Sequence, residues 1–209
     1  MPAPDLAALL APDRCALVTQ ECQVGVIGEA AVLRELADEA QRECIPNLGR
    51  LAVAARGAGV PVVHCLAVRR ADDKGSNTNA KLFTATRKLG IRIQPGTPEA
   101  ELLDVLGPDP DDLVLQRYHG LGPMGGTDLD AVLRNLGVDV IVGVGVSVNV
   151  AMTNFVMDAV NAGYTFVLAR DAVAGVPREY ADAVIDNTLS LLAVVTTTAA
   201  VVQTWADLP

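Results

Sequence analysis

The stretch of this chain richest in chemical potential is GVGVSVNVAMTNFVMDAVNAGYTFVLARDA, residues 143–172. A Val-rich apolar run ends at Gly145, a short turn spans Val146–Asn149, and helical spacing begins at once. Asn149 is a natural N-cap residue, which would leave the amides around Val150 to Met152 without intrahelical partners. A helix N-terminus at the end of a buried strand is an anion site and equally an oxyanion hole. Two motif readings compete here. GVGVSV follows the dinucleotide glycine pattern in part, with Val148 where the third glycine belongs. GVSVN follows half of the GxSxG nucleophile elbow, with Ser147 as nucleophile. That arrangement places its histidine downstream, whereas both histidines, His64 and His119, precede Ser147.

The elements that must position these residues alternate. Short apolar runs at 14–20, 61–67, 112–116, 138–145, 164–169 and 192–197 read as strands buried on both faces of a parallel sheet. Helical patterns fall between them at 30–43, 46–57, 98–106, 127–136, 150–162, 178–191 and 199–206. Thr127 caps its helix, and Gly137 and Gly163 stand where helix C-caps belong. Strand–helix–strand repetition implies right-handed crossovers and a three-layer α/β/α sandwich around a six-stranded parallel sheet. Ligands of such sheets bind beyond the carboxyl ends of the strands. The residues to examine are therefore Glu21–Gln23, Val68–Arg70, Arg117–Gly120, Val146–Asn149 and Asp171.

Composition bounds the rest. The 209 residues suit one domain, 1–209. Residues 69–97 read as an irregular basic loop or lid, with seven of the 16 Lys+Arg and only Asp72 and Asp73 as acids. This strip attracts an anionic substrate, or is a solvated loop or subunit contact. A net charge of −9 argues against nucleic-acid binding. No apolar run is long enough for a membrane span, and the start MPAPDLAALLAPDR lacks a secretory pattern, so a soluble cytoplasmic protein is expected. Cys15, Cys22, Cys44 and Cys65 form no CxxC pair, and two histidines starve a multi-histidine site, so neither a metal nor a cofactor is expected. His64, inside VVHCLAV, reads as a hydrogen-bonded core histidine. Cys22 reads as packed under the sheet, with a substitute catalytic thiol as the alternative.

The segment from Gly145 onward closely resembles the signature of the isochorismatase-like hydrolases, which include isochorismatases, nicotinamidases and N-carbamoylsarcosine amidohydrolases. ALVTQECQ (16–23), RIQPGTPEAELLDVLGPDPDDLVLQ and GGTDLDAVLRNLGVDVIVGVGV resemble further parts of that pattern, so the likeness covers nearly the whole chain. The resemblance implies the same six-stranded fold, a homodimer or homotetramer and a small-molecule substrate. It also implies a catalytic triad of Asp, Lys and Cys. Carried over, the Asp falls on Glu21, the Lys on Arg117 and the Cys on Ala151, and a one-residue length difference loosens the register at Arg117. Alanine offers no nucleophile. The Asp-x-His metal ligands of nicotinamidases are absent, since VRRADD stands there.

The resemblance still leaves chemistry. Isochorismatases also lack the cysteine and are thought to protonate a vinyl ether from the first-strand acid and add water. Glu21 keeps that carboxyl, and Arg117 keeps a charge but holds its proton near neutral pH. Val146, Ser147 and Asn149 would form the oxyanion and substrate-binding turn, with Val146–Ser147 implied to be a cis peptide. Tyr118 and His119 would line the site, His119 being suited to proton transfer near neutrality. The expectation is a hydrolase of a small anionic metabolite without a cysteine nucleophile. The alternatives are a catalytically inactive binding or assembly protein and a structural ion pair left in a retired site.

Overall fold

The computed structural model describes residues 5–107 and 109–208. Six strands, β1 Cys15–Gln20, β2 Val62–Ala67, β3 Leu113–Arg117, β4 Val140–Val146, β5 Thr165–Ala174 and β6 Ala193–Thr196, form one sheet in the order β3-β2-β1-β4-β5-β6. Every pairing is parallel. The α/β/α architecture expected from the alternating pattern is therefore present.

The chain winds from β1 outward to β3, then crosses back to lay β4 beside β1. That reversal opens a crevice at the carboxyl ends of β1 and β4. The register aligns those ends, pairing Gln20 with Gly145 and Ala67 with Arg117.

Nine helices flank the sheet among the described residues: α1 Leu6–Leu9, α2 Val24–Ile27, α3 Arg34–Arg42, α4 Cys44–Gly57, α5 Lys81–Lys88, α6 Leu129–Asn135, α7 Thr153–Asn161, α8 Arg178–Asn187 and α9 Thr198–Ala206. On one face α3, α4 and α9 bury Leu36, Leu48, Leu51, Val201 and Trp205 against Leu17 and Val142. On the other, α6, α7 and α8 bury Leu129, Leu133, Phe155 and Ile185 against Val18, Ile141 and Phe166. Phe155 and Phe166 meet edge to face at 5.0 Å, a favoured aromatic geometry. None of the described helices is long and apolar enough to cross a membrane.

Several boundaries differ from the sequence reading. Residues 69–97 are not irregular throughout, because α5 forms within them; its Leu82, Phe83 and Thr86 face a cavity, and Arg87 and Lys88 complement its C-terminal dipole. The helix expected at 98–106 is two 3₁₀ turns, Pro98–Ala100 and Asp104–Leu106, since the extended Leu103 between them interrupts the hydrogen bonding. α4 begins at Cys44, so Pro46 lies inside its first turn, where a missing N–H costs nothing. β5 continues five residues past its expected end, after a register shift between Gly143 and Gly145 of β4. Asp171, expected at a strand end beside the site, instead accepts hydrogen bonds from the Thr198 amide (2.7 Å) and hydroxyl (2.9 Å), anchoring α9.

Candidate active site

β1 ends at Gln20, and the chain leaves the sheet through Glu21 with φ +55°, the left-handed region. For a residue with a Cβ this costs roughly 1–2 kcal/mol. Its carboxyl lines a cavity of about 230 Å³ at the β1–β4 crevice. Arg117, the last residue of β3, reaches the same cavity and is 6% exposed. Its Nη2 donates to Glu21 Oε1 and to the Leu121 carbonyl (3.1 Å). Gln20 Nε2 donates to the same Glu21 oxygen at 2.9 Å. Glu21 is thus fixed through Oε1, while Oε2 has no protein partner among the described residues. Arg117 Nε and Nη1 are buried without an acceptor among the described residues.

Below β4 the chain turns through a cis Val146–Ser147 peptide into one π-helical turn, Val148–Met152, and then α7. Ser147, Val150 and Ala151 line the cavity, and so do Tyr118 and His119 from the loop after β3. The structure therefore brings together Glu21, Arg117, Ala151, Ser147, Tyr118 and His119. Two predicted residues stand aside. Val146 is fully buried and contributes backbone only. Asn149 is not the N-cap; Ser147, in extended conformation, holds that position. The Asn149 side chain points away, donating to the Val176 carbonyl at 2.7 Å, which ties the turn to the segment before α8.

Cys22 is fully buried in the core beside β1, with Sγ 3.6 Å from the Gln20 carbonyl, and does not line the cavity. Burial holds its thiol well above the usual range. Cys65 is likewise pushed up to about 12 by burial, although Arg117 pulls it down. His64 lies under the sheet, hydrogen-bonded to Thr19 (2.8 Å) and Asp112 (3.0 Å), with burial lowering its pKa. Among the described residues, no group of three or more His, Cys, Asp and Glu is placed to hold a metal ion.

Sequence reasoning missed two contributors, Gln20 and an apolar wall, and singled out a third, Gln23, without assigning it a role. Gln20 shares Glu21's load, and its place as the residue before the strand-end acid was the available signal. Gln23 is fully buried and straps β1's exit to β2: Oε1 accepts from the Ala67 amide (2.8 Å), and Nε2 donates to the Ala67 and Ala100 carbonyls. Leu33 and Leu36 of the α3 region, Phe83 of α5, and Ile91 and Ile93 supply an apolar wall that no motif marks.

The comparisons with known proteins agree with this architecture. A cysteine hydrolase from Pseudomonas syringae pv. phaseolicola superposes with a TM-score of 0.80 at 23% identity, over 99% of each chain. An isochorismatase-like hydrolase from Alkaliphilus metalliredigens gives 0.75 at 22% identity, over 92% of this chain and 96% of that one. The N-carbamoylsarcosine amidase of Thermoplasma acidophilum gives 0.71 at 22%, over 88% and 96%. No curated protein sequence matches the chain. The family described as Isochorismatase domain matches residues 15–200, and with that span the chain belongs to the isochorismatase family.

Proposed function

We propose that this protein is a hydrolase of a small anionic metabolite that works without a thiol nucleophile. One observation carries the reading: Glu21 is held by Arg117 and Gln20 through one oxygen, while its other oxygen has no partner among the described residues, in a cavity where residue 151 offers only a methyl group. A carboxyl so fixed suits proton transfer, in which geometry comes first. Glu21 takes a proton from a bound water as the water oxygen attacks the substrate, and returns it to the departing atom. Water is thereby divided across the broken bond, with no covalent enzyme intermediate. Negative charge developing on the substrate falls beside Ser147 and the Ala151 stretch of the Val148–Met152 turn, a helix-terminus arrangement suited to an oxyanion. The unpartnered N–H groups of Arg117 favour an anionic substrate, because a buried donor without an acceptor costs about 1–3 kcal/mol.

The test is turnover of isochorismate and of a panel of small amides and ureides by wild type and Glu21→Gln. The substitution keeps shape and removes the proton-carrying oxygen, so the rate on any accepted substrate should fall about 10²–10⁴-fold. Equal turnover by the two proteins would overturn the role of Glu21. Ligand-induced stabilisation with no turnover across the panel would instead favour the binding protein.

A further inference from the structure

The cavity has two chemically distinct parts, and only one belongs to the proposed reaction. At the carboxyl ends of β1 and β3 stand Glu21 and Arg117, the latter with Nε and Nη1 buried and without an acceptor among the described residues. Much of the remaining wall is hydrocarbon supplied by α3, α5 and the segment that follows α5, interrupted by Ser76, Asn77 and Thr86. Leu36 (6% exposed) and Ile93 (9%) are core residues that also line the cavity, and Ile93 packs with Val68 in a small apolar cluster. Phe83 completes the wall from α5. That helix is tied down by two contacts: Arg69 Nη2 donates to Thr86 Oγ1 at 3.3 Å, and Arg87 pairs with Asp73 at 3.3 Å. The second cation at the cavity, Arg69, donates to Thr86 and lies 3.9 Å from Asp73, while Arg117, paired with Glu21 through Nη2, keeps Nε and Nη1 buried without a protein acceptor among the described residues.

A cavity with a buried guanidinium that keeps spare donors and a largely apolar remainder suits a ligand of matching polarity. A small, uniformly polar molecule would leave the wall wet and gain nothing from it. We infer that the substrate class is a monocarboxylate carrying an apolar body of several carbons, its carboxylate at Arg117 and its hydrocarbon against Leu36, Phe83 and Ile93. The inference rests on the anionic-substrate reading for its head group, and adds the hydrocarbon requirement and the residues that impose it.

Binding tests it without reference to turnover. The full-length protein is titrated calorimetrically with straight-chain carboxylates from acetate to octanoate, with 3-phenylpropanoate, and with the corresponding primary amides. Affinity should rise about fourfold per added methylene until the cavity is full. Each carboxylate should bind at least tenfold tighter than its amide. Phe83→Ala, on a largely exposed helix, should lower the gain per methylene; Phe83→Leu should restore much of it. Affinity independent of chain length, with the carboxylate preference intact, would overturn the present inference and leave the anionic reading standing. Equal binding of amides and carboxylates would overturn both, since the head group would no longer be placed by Arg117. A Phe83→Ala series as steep as wild type would overturn the assignment of the wall.

Discussion

A thiol reacts as its thiolate, and this chain keeps its own thiols from becoming one. All four cysteines are free and buried. Burial pushes Cys15 up to about 12 and Cys65 up to about 12, and also raises Cys22 and Cys44. The folded protein at pH 7.5 is therefore expected to resist an aromatic disulfide reagent, and all four groups should react once it is unfolded. Ala151→Cys would put a sulfur in the wall of the cavity that Arg117 shares, at the start of a helical segment, and both features favour thiolate. One group per chain should then react in the folded state. Rapid labelling of Cys22 in the folded wild type would contradict its burial and restore it as a catalytic candidate. At this scale the site was partly legible. Glu21 and Arg117 could be paired because strand ends converge at the crevice of a parallel sheet. Asn149 was misread because a good capping residue and the actual cap are separated by two positions, and only the π-helical turn decides between them.

The site's two halves are held at working distance by the close approach of β1 and β4. Gly145 makes that approach possible. It pairs with Gln20, has φ +111°, and a Cβ there would collide with the Gln20 carbonyl and lie 2.9 Å from Cys22 Sγ. Any side chain would push β4 off β1 between Glu21 and Ser147. Gly145→Ala should therefore cost about 1–3 kcal/mol from its dihedral alone. For a chain of this length that is a fall in Tm of roughly 2–12 °C, accompanied by weaker carboxylate binding. An unchanged melting curve would show that the strands can separate freely there. Val-rich runs made the strands readable because a doubly covered sheet demands them. α5 was hidden because its few apolar residues, Leu82 and Phe83, sit among cations, and the cavity wall it completes is a tertiary requirement. The extension of β5 was hidden for a similar reason: ARDAVA reads as a loop until the register shift against β4 gives Val173 and Ala174 partners.

Across the whole molecule, two sets of buried groups set the pH range in which the fold holds. Under the sheet, Thr19 of β1, His64 of β2, Asp112 just before β3 and Arg56 of α4 form one chain of hydrogen bonds. Arg56 Nη2 lies 2.5 Å from Asp112 Oδ2, and His64 Nε2 lies 3.0 Å from the same oxygen. A carboxylate only accepts, so Nε2 donates to it and neutral His64 accepts from the Thr19 hydroxyl at Nδ1. Burial lowers the His64 pKa from 6.5. Burial would raise that of Asp112, but the bonds from Arg56 and His64 outweigh it and the net shift is downward. In both cases the unfolded chain binds protons first as the solution is acidified. Stability is then complete above about pH 6.5 and declines as pH falls, through His64 first and Asp112 below its ordinary 3.8. At the other limb the signs reverse. The raised cysteines stay neutral in the fold but ionise from about pH 9 when unfolded, and Tyr164, pushed up to about 12 by burial, does the same from 10. Stability is lost there as pH rises. Urea unfolding at pH 5, 7.5 and 10 should place the maximum at 7.5. His64→Gln keeps hydrogen-bonding capacity and cannot titrate, so it should lower stability at pH 7.5 by about 1–3 kcal/mol while flattening the change between pH 5 and 7.5. If that acid slope survives the substitution intact, the histidine is not its source, and the three strands are joined there by packing rather than by proton-sensitive bonds.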